Sequence, residues 1–325
     1  MAINDKLRQL ATLTHSADIL VYMTSDKQPG DLFPTKIAID VLPIFYQHLK
    51  KIGKQKKLSL YLYSTGGQLE APWPLVSLIR EYCDLFEVIV PFKALSAGTL
   101  IALGADKIIM TPMSYLSPID PQGNYEVQGQ RRAIQVEDVT GFVNFAKNKV
   151  GINEQGSLSE IMKMLSVEVP PSVLGSINRT HSLIRLLATN LLKRHKVKLE
   201  DHQIKSIVET LTEKLFSHSH LINRCEAKKQ IGFKKIISYA STKEEGLIND
   251  IYDHYVRKMQ IDKPFKPDEI VGAAPTGTLK LARGVIKSST REDNYITEYT
   301  FTKNTNPGIP QPYAIAINDH GWEKI

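Results

Sequence analysis

Two small groups of residues in this chain have the types and spacing of an acyl-transfer site. The first is the pair Gly66 and Gly67, which follows the apolar segment LSLYLYS at 58–64. The second is Ser96, which precedes Ala97 and a very apolar run. A serine hydroxyl can attack a carbonyl carbon, and backbone N–H groups in a glycine turn can hold the oxyanion that forms. The spacing predicts that the N–H groups of Gly66, Gly67 and Ala97 surround one point beside Ser96.

Both groups also have purely structural interpretations. A Gly-Gly pair after a strand serves as a tight turn into a helix, and a serine before a helix is a common N-cap. The local sequence around Ser96 does not decide between its two possible roles, the nucleophile and the N-cap of the following helix.

Alternating strands and helices position these residues. Apolar, β-branched runs predict strands at 17–24, 58–64, 86–92 and 107–112, and helical spacing of apolar residues predicts helices at 35–53, 70–83 and 96–105. The strand segment FEVIVPF is apolar almost throughout, which is typical of a parallel strand covered on both faces. This alternation predicts an α/β fold of stacked βαβ units with right-handed crossovers.

The pattern is less regular after residue 120. The segment PQGNYEVQGQRRA predicts a loop or hairpin, and long helices are expected at 178–196 and 199–216. From residue 260 the composition shifts to Pro, Gly, Thr and Lys, and TREDNYITEYTFTK predicts one or two exposed strands. We therefore expect a main domain over residues 1–258 and a small C-terminal appendage over 259–325.

The charge of the chain is basic and locally concentrated. The formal net charge is +7, and much of the excess lies in the runs at 50–57, 193–198 and 263–267. Such runs are usually solvated faces; binding of nucleic acid is a weaker alternative, because no RNA-binding aromatic motif accompanies them.

Compartment and membrane signals point to a cytoplasmic protein. The two cysteines, Cys83 and Cys225, have no CxxC spacing, so neither a disulfide framework nor a zinc site is expected. The first residues lack the pattern of a signal peptide, and no window approaches 18 uninterrupted apolar residues. We expect a protein without a membrane span.

The motif STGG, followed one predicted strand later by ALSAGTLIALGADKIIMTPMSYLSPIDPQ, resembles the ClpP/crotonase fold and within it the serine dehydrogenase proteinase family. This family is related to signal peptide peptidase and the Clp protease proteolytic subunit. Segments 173–192 and 217–233 are similar to it as well, so the resemblance covers roughly residues 15–235. It implies a serine peptidase with Ser96 as nucleophile and Gly66, Gly67 and Ala97 as oxyanion hole. It also implies peptide or protein substrates, a homo-oligomer, and chemistry without metal or cofactor.

The resemblance does not supply a general base. Where the Clp subunit carries a histidine, this chain has SPIDPQ, with Asp120 and no histidine. His181 lies in the family-like stretch and is one candidate base, and Asp120 either orients the base or anchors a turn. Signal peptide peptidases use a lysine whose pKa burial has lowered. The lysines closest along the chain are Lys147, Lys149 and Lys163, each on a polar helix face.

Two other functions remain open on the sequence. A crotonase-like acyl-thioester enzyme needs the oxyanion hole without the serine, and binds coenzyme A. An inactive scaffold keeps the fold and binds a protein or nucleic-acid partner. His218 and His220 resemble a metal-binding pair, but no third ligand follows at a recognised spacing.

Overall fold

A computed structural model describes residues 2–30, 32–119, 122–127, 130–215, 217, 219–304 and 312–325. The strands are β1 Ile19–Thr24, β2 Gln55–Tyr63, β3 Cys83–Val90, β4 Lys93–Ala94, β5 Lys107–Met110, β6 Tyr115–Leu116, β7 Gln122–Val127, β8 Gln130–Gln135, β9 Ile222–Asn223, β10 Ile237–Tyr239, β11 Thr276–Lys287, β12 Glu292–Lys303 and β13 Tyr313–Lys324. The helices are α1 Ile3–Thr14, α2 Leu42–Ile52, α3 Pro72–Glu81, α4 Ala97–Leu103, α5 Val136–Asn144, α6 Gln155–Glu168, α7 Pro171–Leu192, α8 Asp201–Glu209, α9 Arg224–Lys229, α10 Thr242–Lys258 and α11 Pro267–Val271. A 3₁₀ turn at Ile39–Val41 precedes α2, and π-helical turns at Phe145–Lys149 and Thr210–Lys214 continue α5 and α8.

One large mixed sheet organises the described part of the chain. Its strand order is β10-β5-β3-β2-β1-β11-β12-β13. The five strands from β10 to β1 are parallel, and the last three join antiparallel. Because α3 follows β2 and α4 follows β3 and β4, the predicted βαβ units are confirmed.

Helices cover both faces of the parallel strands. Leu58, Leu60 and Leu62 of β2 point into the larger core, which α2, α3, α4 and α7 cover. Tyr61 and Tyr63 point to the opposite face, against α1 and α10. Successive side chains of a strand alternate between faces, so a strand buried on both must be apolar throughout. The α/β class predicted from the sequence is confirmed.

A second, small sheet lies beside the carboxyl ends of the main strands. It pairs β4 with β6 in parallel and β6 with β9 antiparallel. An isolated bridge joins Ser64, just after β2, to Ala94 in β4. The Gly66–Gly67 turn and the start of α4 are therefore held next to each other.

The segment after residue 259 contributes strands to the main sheet. β11 pairs antiparallel with β1, with Val21 opposite Lys287, and β12 and β13 follow outward. The sequence prediction of exposed strands is wrong for β12, because β11 and β13 flank it, six of its twelve residues are buried and a single one is exposed. The domain boundary at 258–259 stays a prediction.

None of the described helices combines the length and apolarity needed to cross a membrane.

Candidate active site

Ser96 occupies an unusual backbone conformation at the junction between β4 and α4. Its φ is 50° and its ψ is −111°, a backbone conformation that residues other than glycine rarely adopt. Such conformations cost about 1–3 kcal/mol and persist where the surrounding structure enforces them. A serine on a sharp strand-to-helix turn presents its hydroxyl at the end of the sheet, as nucleophilic serines do on related turns. Ser96 is half-buried.

Hydrogen bonds on both sides fix this conformation. The Ser96 N–H donates to Ser117 Oγ at 2.7 Å, and Ser117 Oγ donates to the carbonyl of Pro118 at 2.8 Å. The Ser117 N–H in turn donates to Thr99 Oγ1 at 3.0 Å. The Ser96 carbonyl accepts from the Leu100 N–H at 3.0 Å, within the first turn of α4. The backbone of Ser96 is bonded, while its Oγ forms no hydrogen bond with any described residue.

Gly66 is glycine because it lies against Ser96. Its φ is 110°, and a Cβ at this position would lie 2.9 Å from Ser96 Cβ. Its N–H donates to Ser64 Oγ at 3.0 Å, and Thr24 donates to the same oxygen at 2.8 Å. The Gly66 N–H is thus hydrogen-bonded within the turn. Gly66 contributes to the site by allowing the turn to lie close to Ser96.

Gly67 packs against the backbone of Ile37. A Cβ on Gly67 would lie 2.0 Å from the Ile37 oxygen. Ile37 donates to the Gly66 carbonyl at 2.9 Å and accepts from the Gln68 N–H at 2.8 Å. In this parallel bridge the Gly67 N–H faces away from Ile37. Among the described residues nothing accepts from the N–H groups of Gly67 or Ala97, which directly follow Gly66 and Ser96 in the chain.

The C-terminal strands hold the segment that positions Gly67. Arg283 of β11 donates to the carbonyls of Phe33 at 2.8 Å and Pro34 at 2.6 Å. The Arg283 carbonyl accepts from the Ser25 N–H at 2.8 Å. Segment 33–37 is therefore fixed at one end by β11 and contacts the glycine turn at the other. Sequence reasoning missed this role, because Arg283 is remote in the chain and belongs to no motif.

A cavity of about 550 Å³ opens beside Gly67. Segment 34–38 forms one wall, and Arg283, Tyr295 and Trp322 of the C-terminal strands form the other. Trp322 Nε1 donates to Asp40 Oδ2 at 3.1 Å, and both residues line the cavity.

His181 lies on α7 and pairs with a carboxylate. Its Nε2 is 3.7 Å from Oε1 of Glu213, which also forms an ion pair with Arg185. Burial lowers the pKa of His181, and the charge of Arg185 lowers it further. An imidazole with a lowered pKa is neutral at pH 7 and able to accept a proton.

The loop after β6 connects Ser96 with the region of His181. Ser117 bonds Ser96, and two residues further the Ile119 N–H donates to the Leu211 carbonyl at 3.0 Å. Leu211 and Glu213 share the π-helical turn after α8, and such turns are frequent at functional sites. No hydrogen bond between described residues joins His181 to Ser96 directly.

The remaining predicted side chains contribute less. Lys147, Lys149 and Lys163 are exposed, and Lys163 forms an ion pair with Glu160 at 2.7 Å. Asp120 and His218 lie outside the described residues. His220 Nε2 is 2.7 Å from Glu226 Oε1, and within the described ranges no group of three or more His, Cys, Asp and Glu residues is arranged to hold a metal.

A buried serine–histidine–aspartate group away from Ser96 is a structural element. His48 Nδ1 is 2.8 Å from Ser288 Oγ, and its Nε2 is 2.9 Å from Asp293 Oδ2. All three side chains are buried, and burial lowers the pKa of His48 to about 4. Ser288 is fully buried, so no substrate can reach it and the group is structural. Its hydrogen bonds link α2 to the turn between β11 and β12 and to the start of β12.

The stretch that contains the glycine pair and Ser96 is also the one that known proteins share. Residues 38–141 match the family profile described as ClpP-like SDH-type serine proteinase. The resemblance predicted from STGG and the Ser96 motif is thereby confirmed over these residues, and so is the ClpP-like character of the fold.

Two curated relatives are uncharacterised proteins of Methanocaldococcus jannaschii. The first is 32% identical over 132 residues, which cover 34% of this chain and 46% of the relative. The second is 38% identical over 69 residues, covering 21% of this chain and 24% of the relative. The chain thus spans about half the length of the first and a quarter of the second.

The chain aligns with two solved structures of the 1510-N membrane-bound stomatin-specific protease. One, in complex with a substrate peptide, has 15% sequence identity and a TM-score of 0.28, covering 67% of this chain and 94% of its own. The other has 21% sequence identity and a TM-score of 0.26, and the match covers 34% of this chain and 56% of the other. An enoyl-CoA hydratase/isomerase from Pseudoalteromonas atlantica has 13% sequence identity and a TM-score of 0.23. That match covers 55% of this chain and 88% of the hydratase chain.

Proposed function

We propose that the protein is a serine peptidase in which Ser96 is the nucleophile. The observation that carries this proposal is the backbone of Ser96, with φ of 50° and ψ of −111° at the start of α4. An N-cap serine needs only extended backbone, so the N-cap role leaves this conformation unexplained. The match of residues 38–141 to a serine proteinase family supports the same assignment.

The reaction follows from the groups around Ser96. Ser96 Oγ forms a bond to the substrate carbonyl carbon, its proton passes to the base, and the carbonyl oxygen becomes an oxyanion. The N–H groups of Gly67 and Ala97 stabilise this oxyanion, because both are without partners among the described residues. The base then protonates the leaving amine, and water hydrolyses the acyl-enzyme.

His181 is the base that we propose, with Glu213 orienting its ring. The 3.7 Å separation from Glu213 and the lowered pKa suit this role. Asp120 and the three helix lysines stay as alternative members of the site. The substrate is a peptide, one side chain of which enters the cavity of about 550 Å³ beside Gly67. A cytoplasmic location and a homo-oligomeric assembly remain predictions.

Hydrolysis of an unfolded protein tests this proposal. Wild-type protein is expected to cleave unfolded casein, and the Ser96→Ala variant is expected to lose at least about 10³-fold in rate. Ser182→Ala is the matched control, since Ser182 is exposed on α7 and its hydroxyl donates to the Asn178 carbonyl of the same helix. Equal cleavage by wild type and Ser96→Ala would contradict the proposal.

A further inference from the structure

The fold brings two of the basic runs together around one cavity. This basic cavity has a volume of about 390 Å³. Lys54 comes from the run at 50–57, and Arg194, Lys196 and Lys198 come from the run at 193–198. Arg80 of α3 completes the cationic lining. Neither run has a part in the proposed peptidase site.

Most of these charges have no carboxylate partner. Arg194 donates to the neutral Ser77 Oγ at 2.6 Å, and Lys198 Nζ donates to the Lys193 carbonyl at 3.1 Å. Among the described residues no carboxylate lies within ion-pair distance of Lys54, Arg194, Lys196 or Lys198. Asp84 supplies the single carboxylate of the described lining. Like charges gathered in a concave site raise the local concentration of an anion.

Buried groups fix the floor of the basic cavity. His195 is buried and its Nε2 lies 2.6 Å from the Leu103 oxygen, at the end of α4. Arg80 donates to the Gly104 carbonyl at 2.6 Å and pairs with Asp106 at 3.1 Å. The Arg194 guanidinium lies 5.2 Å from the centre of the Trp73 ring. A cationic cavity with a fixed floor binds an anion without ordering its own walls first.

The basic cavity is separate from Ser96. His195 and Arg80 bond the carbonyls at the C-terminal end of α4, whereas Ser96 precedes its first residue. At 1.5 Å per residue, seven residues of helix separate the two ends by about 10 Å. A ligand of the cavity therefore meets α4 at the end away from the proposed nucleophile.

We propose that the basic cavity binds a chain of two or three linked phosphates, as an inorganic oligophosphate or as part of a nucleotide. Arginine and lysine are the side chains that bind phosphate oxygens, and four unpaired cations match the three or four negative charges of such a chain. A volume of about 390 Å³ is in the range of small-ligand sites. Nucleic acid is less well matched, because its backbone needs cations spread along a surface rather than gathered in a cavity.

Isothermal titration calorimetry with sodium triphosphate, and separately with ATP, tests the proposal on the full chain. We expect one site per chain whose affinity falls as NaCl rises from 50 to 200 mM. The double variant Lys54→Gln with Lys196→Gln is expected to weaken triphosphate binding at least about tenfold. The matched control is Lys56→Gln with Lys193→Gln, which removes two charges from the same runs outside the cavity and leaves binding within about twofold.

Each outcome has a defined meaning. Equal affinity for triphosphate and ATP identifies the phosphate chain alone as the ligand, and tighter binding of ATP adds the nucleoside; both support the site. Absence of triphosphate and ATP binding by folded wild type would overturn it. So would equal losses in the two double variants, or binding of a 20-nucleotide RNA without binding of triphosphate. Circular dichroism of each variant identifies loss of folding, and Arg194→Gln supplies a second cavity variant.

Discussion

The strained backbone of Ser96 shows how a single residue is shaped by its surroundings. Ser117 accepts its N–H, Leu100 bonds its carbonyl, and Gly66 lies close enough that only a glycine fits. These contacts fix the main chain and leave the hydroxyl without a hydrogen-bond partner in the described part of the chain. The residue types of this group were predictable, since Ser, Gly, Gly and Ala stand in recognisable motifs. The supporting roles of the Ser64 and Ser117 hydroxyls were not predicted, although both residues stand in the quoted motifs, because the hydrogen bonds that they form to Gly66 and Ser96 depend on the fold.

The pH dependence of the Ser96 reaction tests the base at the residue scale. Burial and Arg185 lower the pKa of His181 below 6.5, so the neutral form that accepts a proton persists below pH 6.5. Reaction of Ser96 with a fluorophosphonate is therefore expected to be constant at neutral pH and to fall through a midpoint below 6.5. His181→Gln is expected to lower the rate about 10²–10⁴-fold.

His202→Gln is the matched control for this measurement, because it makes the same substitution at a histidine that is exposed on α8 and is not a candidate base. A midpoint at or above pH 7 together with an unaffected His181→Gln variant would exclude His181 and favour a lysine base.

At the scale of elements, the glycine turn depends on a segment from elsewhere in the chain. Segment 33–37 contacts Gly67 at one end and is bonded by Arg283 of β11 at the other. The order of the strands and helices near Ser96 was predictable from apolar periodicity. The helix predicted at 35–53 is wrong over its first residues, because α2 begins only at Leu42 and Ile37 pairs with Gly67 instead. The contact between segment 33–37 and β11 was not, because it joins residues about 250 positions apart without a pattern in either.

Arg283→Met tests this dependence. The variant removes donors from the Phe33 and Pro34 carbonyls, and we expect the fluorophosphonate rate at Ser96 to fall roughly tenfold as the glycine turn shifts. Arg283→Lys keeps the charge and is expected to recover part of the rate. Arg291→Met is the control: Arg291 lies in the turn between β11 and β12, and its removal takes a partner from Asp293 rather than from segment 33–37. Equal losses of rate in Arg283→Met and Arg291→Met would show only general destabilisation.

The contact between α2 and the β11–β12 turn has its own pH dependence. Burial lowers the pKa of His48 to about 4, below the unfolded value of 6.5. Below pH 6.5 the unfolded chain binds a proton at His48 that the folded chain does not. Stability is therefore complete above pH 6.5 and decreases as the pH falls towards 4, by on the order of 3 kcal/mol from this group.

Urea unfolding at pH 7 and pH 5 measures this effect. The wild type is expected to lose more free energy of unfolding between the two values than His48→Gln, whose side chain does not titrate. Identical losses in both proteins would contradict the assignment to His48.

At the scale of the whole molecule, the α/β architecture follows from the sequence while the C-terminal strands do not. Runs such as FEVIVPF are apolar on both faces, which indicates a parallel strand between two helix layers. β12 has polar and charged residues mixed with apolar ones, and its position inside the sheet depends on pairing with β11 and β13. The resulting molecule has one sheet that carries both the Ser96 region and the strands that hold segment 33–37.

The two other functions make different demands on the whole molecule. A crotonase-like enzyme would be stabilised by acyl-coenzyme A, and a scaffold would leave Ser96 unreactive. Both are compatible with the glycine turn and with the fold, so reactivity of the serine distinguishes them from a peptidase.

Intact-mass spectrometry after reaction with a fluorophosphonate probe is the most direct measurement of the central claim. We expect one adduct per chain on the wild type and on Ser182→Ala, and none on Ser96→Ala. An adduct that persists on Ser96→Ala, or a folded wild type that forms no adduct, would contradict the account of Ser96 as the nucleophile.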